Sequence, residues 1–381
     1  MKTTAIKRQS VLSLALLVLC LFSACGGDDN NGTTNPFQPT PTTPPPPVVA
    51  VVANQASNNV SAYTINSSTG ALAAAAGSPF PTGGTTPGGV AVSSDGTLAY
   101  VANQGSNNVS AFTIDPPTGA LAAIAGSPFS AGTTPLRLAI SPNRSFLYVT
   151  NQASNNVSAF AISASGILSG IPSSPFATGF TPAGVTCTPN GSFLYVANQG
   201  SNNVSGYTIN ASGQLFPVAG SPFAVGTTPI GVVVSPNGSF LYVSNQGSNY
   251  VSALAINGST GALTPVTGSP FATGITPGGI TISPNGAFLY VANQSTNNVT
   301  AFTVNAGNGV LAPIGSPTPA GTTPSAVPVS PDGAFLYVAN QGSNDVFAYA
   351  INGTSGALAA VSGSPFPAGV TPRAIATPGR P

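Results

Sequence analysis

The sequence predicts an all-β protein, a seven-bladed β-propeller of four-stranded antiparallel blades, and three observations predict it. A Thr-Pro pair recurs with its proline at Pro87, Pro135, Pro182, Pro229, Pro277, Pro324 and Pro372, 47 or 48 residues apart. An Asn-Gln pair recurs as often, with Asn54, Asn103, Asn151, Asn198, Asn245, Asn293 and Asn340. Each unit between these marks reads as four short strands divided by turn formers. Four strands in a period of this length are the arithmetic of a propeller blade, whereas solenoid repeats are typically helical or shorter.

The unit beginning at Pro229 shows the order. "GVVVS" is a β-branched run, and "PNG" supplies the proline and glycine of a tight reversal. "FLYVSN" is the second strand, closed by "QGSN"; "VSALAI" is the third, closed by "NGSTGA". "LTPVTGSPF" is the last and least regular, and its prolines suit an outermost edge, where no ladder donor is needed. The first and second strands are apolar on both faces, as expected where blades pack face to face.

The ends of the repeat region close the ring. It starts with a second strand, "VVAVVANQ", and finishes with a first strand, "TPRAIATP". The C-terminal inner strand therefore joins three N-terminal strands to complete one blade. A solenoid would instead carry atypical caps at both ends.

Composition bounds the function. Of 381 residues only 3% are charged and 42% are hydrophobic, with no His, no Trp and no Glu. Beyond residue 47 the cations are Arg137, Arg144, Arg373 and Arg380, and the anions are Asp95, Asp115, Asp332 and Asp345. A neutral domain without lysine has no basic patch for nucleic acid. Nor does any segment beyond the N-terminus approach the ~20 apolar residues of a spanning helix.

The N-terminus reads differently. Lys2, Lys7 and Arg8 precede "VLSLALLVLCLFSAC", an apolar stretch with the shape of a secretory signal. Ser23-Ala24-Cys25 resembles the lipobox of bacterial lipoproteins, with Phe22 where leucine is usual. That resemblance implies a signal peptide over 1–24, lipidation of Cys25 and a membrane anchor; Gly26 after the cysteine then favours the outer membrane. An ordinary signal with an incidental cysteine is the alternative. Residues 25–47, ending in "PTPTTPPPP", have the composition of an extended tether. The expected location is the cell envelope, with the propeller over 48–381. With Cys20 removed and Cys25 lipidated, Cys187 is left without a disulfide partner, and it is expected to be a small buried hydrophobe.

The phrases "TPGGVAVSSDG", "LYVANQGSNNVSAFTI" and "TGALTPVTGSPF" resemble the YVTN-type and lactonase-type seven-bladed propellers, which include the phosphogluconolactonase-like and muconate-lactonizing-like proteins. The resemblance covers essentially all of 48–381 and lies in structural repeat residues. It implies an activity built on acidic, basic and His residues around the central channel. With no His or Glu, no such base can be placed here. Asp95 and Asp332 stand in "SDG" and "PDG" turns, while Asp115 and Asp345 take positions where other repeats have Asn. All four read as turn residues, and no metal or other cofactor is expected.

The remaining candidates lie at one end of the ring. In this strand order the "NQGSNN" and "GTTP" loops share a face, which presents Gln55, Gln104, Gln152, Gln199, Gln246, Gln294 and Gln341 at equivalent places. Carboxamides both donate and accept, which suits sugar hydroxyls or a protein backbone; the Asn and Ser of the loop read as turn formers. Inner strands otherwise start with small residues, such as Gly88-Gly89 and Gly278-Gly279, and Arg137 and Arg373 break that rule two blades apart. A guanidinium there can receive an anion in bidentate fashion, or simply be solvated in a wet channel.

Two functions follow. One is a lipid-anchored, monomeric envelope propeller that binds an unknown protein or glycan or acts as a scaffold, without catalytic residues. The other is a lactonase or isomerase acting on a small anionic lactone. The missing base favours the first.

Overall fold

The computed structural model describes residues 48–379. The signal peptide expected over 1–24, the lipidation expected at Cys25 and the tether expected up to residue 47 lie outside the described residues, as does Arg380.

The described chain is an all-β ring of seven antiparallel sheets. In the third blade the inner strand Pro182–Cys187 pairs with Phe193–Asn198, which pairs with Asn203–Ile209. The ring closes as the repeat predicts. Pro372–Ala376 pairs antiparallel with Val48–Asn54, placing Val52 opposite Ile375, and Val48–Asn54 pairs onward with Asn59–Ile65.

The outer strand differs from the single irregular strand expected. In the third blade it is two short pieces, Leu215–Pro217 and Phe223–Ala224, both paired to Asn203–Ile209. Between the pieces a serine takes over from the broken ladder: the Gly206 amide donates to Ser221 Oγ at 2.9 Å. Equivalent bonds run from Ala62 to Ser78, Ala111 to Ser127 and Ala253 to Ser269. A side-chain oxygen thus satisfies an amide that the prolines and turn would leave unpaired.

The second strands are the packing centre. Tyr100, Tyr148, Tyr195, Tyr242, Tyr290 and Tyr337 are fully buried, together with the leucine or alanine before each and the valine after it. A buried phenol needs a partner, and each finds it in the next blade. Tyr100 Oη donates to the carbonyl of Gly166 at 2.9 Å, and Tyr242 Oη to that of Gly309 at 3.1 Å. Tyr337 Oη donates to Gly70 at 3.0 Å, across the point where the chain's two ends meet. In the seventh blade Val51 occupies the tyrosine position.

The Thr-Pro loops are clasped between blades. Thr86, Thr134, Thr181, Thr228, Thr276, Thr323 and Thr371 all have φ between 54° and 61°. That region is costly for a β-branched residue and persists only where surroundings hold it. The surroundings are explicit. The Thr86 amide donates to Asn58 Oδ1 of the preceding blade at 2.7 Å, and its carbonyl accepts the Gln104 amide of its own blade at 2.9 Å. All seven threonines are held by the equivalent asparagine, from Asn58 to Asn344. The fifth residue of "NQGSNN", the first of its two closing asparagines, is therefore a blade-to-blade clasp.

Candidate functional site at the upper mouth of the channel

The inner strands converge on the axis so closely that their first residues must be small. A Cβ on Gly89 would lie 2.2 Å from the Leu136 carbonyl oxygen of the next blade. Each inner strand also shifts register just after its proline. Such bulges leave residues outside the ladder and re-aim their side chains. Arg373 is the bulge residue between Pro372 and Ala374, and Leu136 with Arg137 forms the bulge between Pro135 and Leu138. The Arg137 amide, freed from the ladder, donates to Thr150 Oγ1 at 3.1 Å.

Both guanidiniums enter the lining of a cavity of about 300 Å³ at the end of the ring that carries the Asn-Gln loops. Gly184, Gly231, Gly278, Gly279, Gln294 and Gln341 line the same space. Arg137 Nη1 donates to the Gly88 carbonyl at 2.5 Å, and Arg373 Nη1 donates to Gln55 Oε1 at 3.4 Å. Arg373 Nε is buried without a partner. The ion pair among the described residues is elsewhere, between Arg144 and Asp95 at 2.5 Å. Burial, and after it the charge of Arg373, pushes the Arg137 pKa down to about 10. Burial likewise lowers Arg373. Two desolvated cations that press on each other favour an anion between them.

The glutamines surround this mouth but are not seven free contacts. Gln55 Nε2 donates to Gln104 Oε1 at 3.0 Å, Gln152 to Gln199 at 3.2 Å and Gln246 to Gln294 at 3.1 Å. Side chains almost fifty residues apart in sequence thus bridge neighbouring blades. Gln341 remains in the cavity lining. The spacing of the repeat places these residues on one face, but the pairing is set by side-chain reach across blades and leaves no trace in the sequence.

The aspartates lie in turns and loops. Asp95 accepts from Ser93 and Thr97, Asp332 from Ser330 and the Ala334 amide, and Asp115 from Thr118. Asp345 accepts from Asn340 and Ser343 beside the upper loops. None of them lines the upper cavity. Burial raises the Asp95 carboxyl, but hydrogen bonds from Ser93 and Thr97 and the Arg144 charge outweigh it and hold the pKa below the usual aspartate value.

The opposite end of the channel opens into a wider space of about 720 Å³, rimmed by Pro142, Pro189, Pro236, Pro331 and Pro378. Leu138, Val185, Thr281, Pro328 and Thr377 line both spaces. Cys187 corrects the expectation of a fully buried residue: it is half-buried, because its inner strand turns one face to this lower space. Burial pushes its thiol up to about 12, so it stays protonated at neutral pH.

A profile of the family described as "Lactonase, 7-bladed beta-propeller" matches residues 75–174, 166–276 and 267–371. The chain belongs to that family. Curated protein sequences give no match. Among solved structures, the chain is similar to a Bacteroides uniformis protein provisionally described as a 6-phosphogluconolactonase, at 20% identity and TM-score 0.76, over 87% of this chain and 99% of that one. It is similar to a Bacteroides fragilis protein described in the same way, at 21% identity and TM-score 0.76, over 89% and 99% of the two chains. It is also similar to a periplasmic gluconolactonase of Pseudomonas aeruginosa, at 21% identity and TM-score 0.75, over 88% and 99%. At these identities the likeness is one of fold.

Proposed function

We propose that the upper mouth takes a small anionic sugar-acid lactone and that the protein hydrolyses it. One observation carries this reading: Arg137 and Arg373 share the lining of the upper cavity, and neither is paired with a carboxylate among the described residues. Two guanidiniums offer forked donors to a phosphate, a carboxylate or a developing oxyanion. The Gln341 carboxamide, in the same lining and outside the glutamine pairs, matches a sugar hydroxyl. A space of about 300 Å³ is of small-ligand size. Family membership supports the same chemistry.

Among the described residues no carboxylate lines the upper cavity to take a proton from water, and the sequence has no imidazole. The nucleophile in this reading is hydroxide from solvent. It adds to the lactone carbonyl carbon, and the guanidiniums stabilise the negative oxygen that forms. The tetrahedral adduct collapses with cleavage of the ring C–O bond, and the departing alkoxide takes a proton from water to give the open hydroxy acid. The arginines stabilise charge without exchanging protons.

The reading includes an envelope setting, which the periplasmic location named for the Pseudomonas aeruginosa relative supports, and a lipid anchor at Cys25, which rests on the sequence alone. The binding or scaffold role is the weaker alternative, because six of the seven glutamines are engaged with one another.

The test is hydrolysis of 6-phosphoglucono-δ-lactone and glucono-δ-lactone, followed by base uptake at constant pH. Turnover above the spontaneous rate, reduced at least tenfold in Arg137→Gln, supports the reading. Turnover equal to the buffer rate removes it.

A further inference from the structure

The position before each Thr-Pro pair is exposed in all seven blades, yet its chemistry alternates. Thr85, Thr133, Thr227 and Thr322 occupy it in four blades, and Phe180, Ile275 and Val370 in the third, fifth and seventh. These three are 67%, 54% and 53% exposed, and they make up three of the five exposed large hydrophobics among the described residues. Exposed apolar side chains scattered singly need no explanation, but equivalent positions ringing one opening on one face do.

Their place relative to the arginines is fixed by backbone hydrogen bonds. The Val370 carbonyl accepts the Ala56 amide at 3.2 Å, next to Gln55, the residue that Arg373 contacts. The Phe180 carbonyl accepts the Gly200 amide at 3.0 Å, next to Gln199, and the Ile275 carbonyl accepts the Ser295 amide at 3.2 Å, next to Gln294. The guanidiniums share the cavity lining with Gln294 and Gln341, and the three apolar residues stand outside that lining, each tied by its carbonyl to the residue after a glutamine.

We propose that the upper mouth prefers an anion carrying an apolar arm, with the anionic head on Arg137 and Arg373 and an acyl or aryl arm that reaches out to the rim positions held by Phe180, Ile275 and Val370. This deepens the lactone reading and rests on its anion site, naming the substrate class as acyl- or aryl-substituted rather than bare sugar acids. Charge complementarity fixes the head. The four threonine blades leave polar paths between the apolar contacts.

Calorimetric titration of the full-length protein with gluconate, acetate and octanoate tests this. The key variant is Phe180→Thr/Ile275→Thr/Val370→Thr, which installs the residue that four blades already carry and so leaves the loop chemistry native. Octanoate is expected to bind about tenfold or more tightly than acetate, the worth of about two methylenes withdrawn from water. That ratio is expected to fall to near one in the triple variant, with gluconate binding unchanged. A ratio that persists in the triple variant, or that is absent from the wild type, overturns the inference and leaves the lactone reading standing. Octanoate binding that is indifferent to Arg137→Gln/Arg373→Gln also overturns it. Octanoate binding that depends on both the arginines and the apolar trio, without any gluconate binding, keeps the inference and removes the sugar-acid reading.

Discussion

Arg137 and Arg373, two blades apart, bring two positive charges to one cavity wall, and the charge of the second lowers the pKa of the first. Such an arrangement is costly, since each half-buried cation has lost part of its water and has no carboxylate partner among the described residues. An anion relieves both costs at once.

Replacing either arginine by glutamine should therefore separate binding from stability. Affinity for 6-phosphogluconate should fall by about tenfold to a hundredfold, the range for losing charge-assisted hydrogen bonds. The melting temperature should hold or rise, because a half-buried charge without a carboxylate partner has been removed. Titration calorimetry and thermal melts on the same samples check this; a marked loss of stability would show the arginines to be structural.

The pH dependence has a definite sign. Arg137 has its pKa pushed down to about 10, so the cation that grips an anion is present below that value and is lost above it. Anion affinity should be flat through neutrality and decline as pH rises through about 10. Hydrolysis, depending on solvent hydroxide, should rise tenfold per pH unit below that point. A bell-shaped rate profile centred near neutrality would instead report a general base elsewhere.

The tyrosine bridges predict a stability effect remote from the site. Tyr242→Phe keeps the ring packing but leaves the Gly309 carbonyl without its donor. The expected loss is about 1–2 kcal/mol by denaturant titration. Anion binding should not change.

Asp95 and Arg144 join the first and second blades at the other end of the ring. Both side chains are more than one-third exposed, 35% and 37%, so Asp95→Asn should cost at most about 1 kcal/mol. The Asp95 pKa is lowered in the folded state. Its contribution is therefore present above the ordinary aspartate pKa and is lost as pH falls through the lowered value. Stability curves of wild type and Asp95→Asn should converge in acid.

Blade number, strand order and ring closure were legible because the repeat copies the residues that build them. Pro229 to Asn245 can be overlaid on Pro277 to Asn293 without a gap. Arg137 and Arg373 were legible for the opposite reason, as departures from a rule imposed by convergence on the axis. The rest depends on contacts between blades. "LYVAN" reads as an apolar strand, and nothing in it says that the Tyr195 hydroxyl will meet the Gly261 carbonyl of the next blade. The two-piece outer strand depends on Ser221 replacing a ladder acceptor, a tertiary bond. Phe180, Ile275 and Val370 were visible as breaks in "GTTP", but their meaning required the position of that loop beside the glutamines.

The central claim is that an anion sits between Arg137 and Arg373. A crystal structure of the protein with 6-phosphogluconate tests it most directly. The account predicts the ligand in the upper cavity, with its phosphate or carboxylate within hydrogen-bond distance of both guanidiniums. Ligand bound only at the proline-rimmed lower mouth, or an upper cavity holding water alone at saturating ligand, would contradict it.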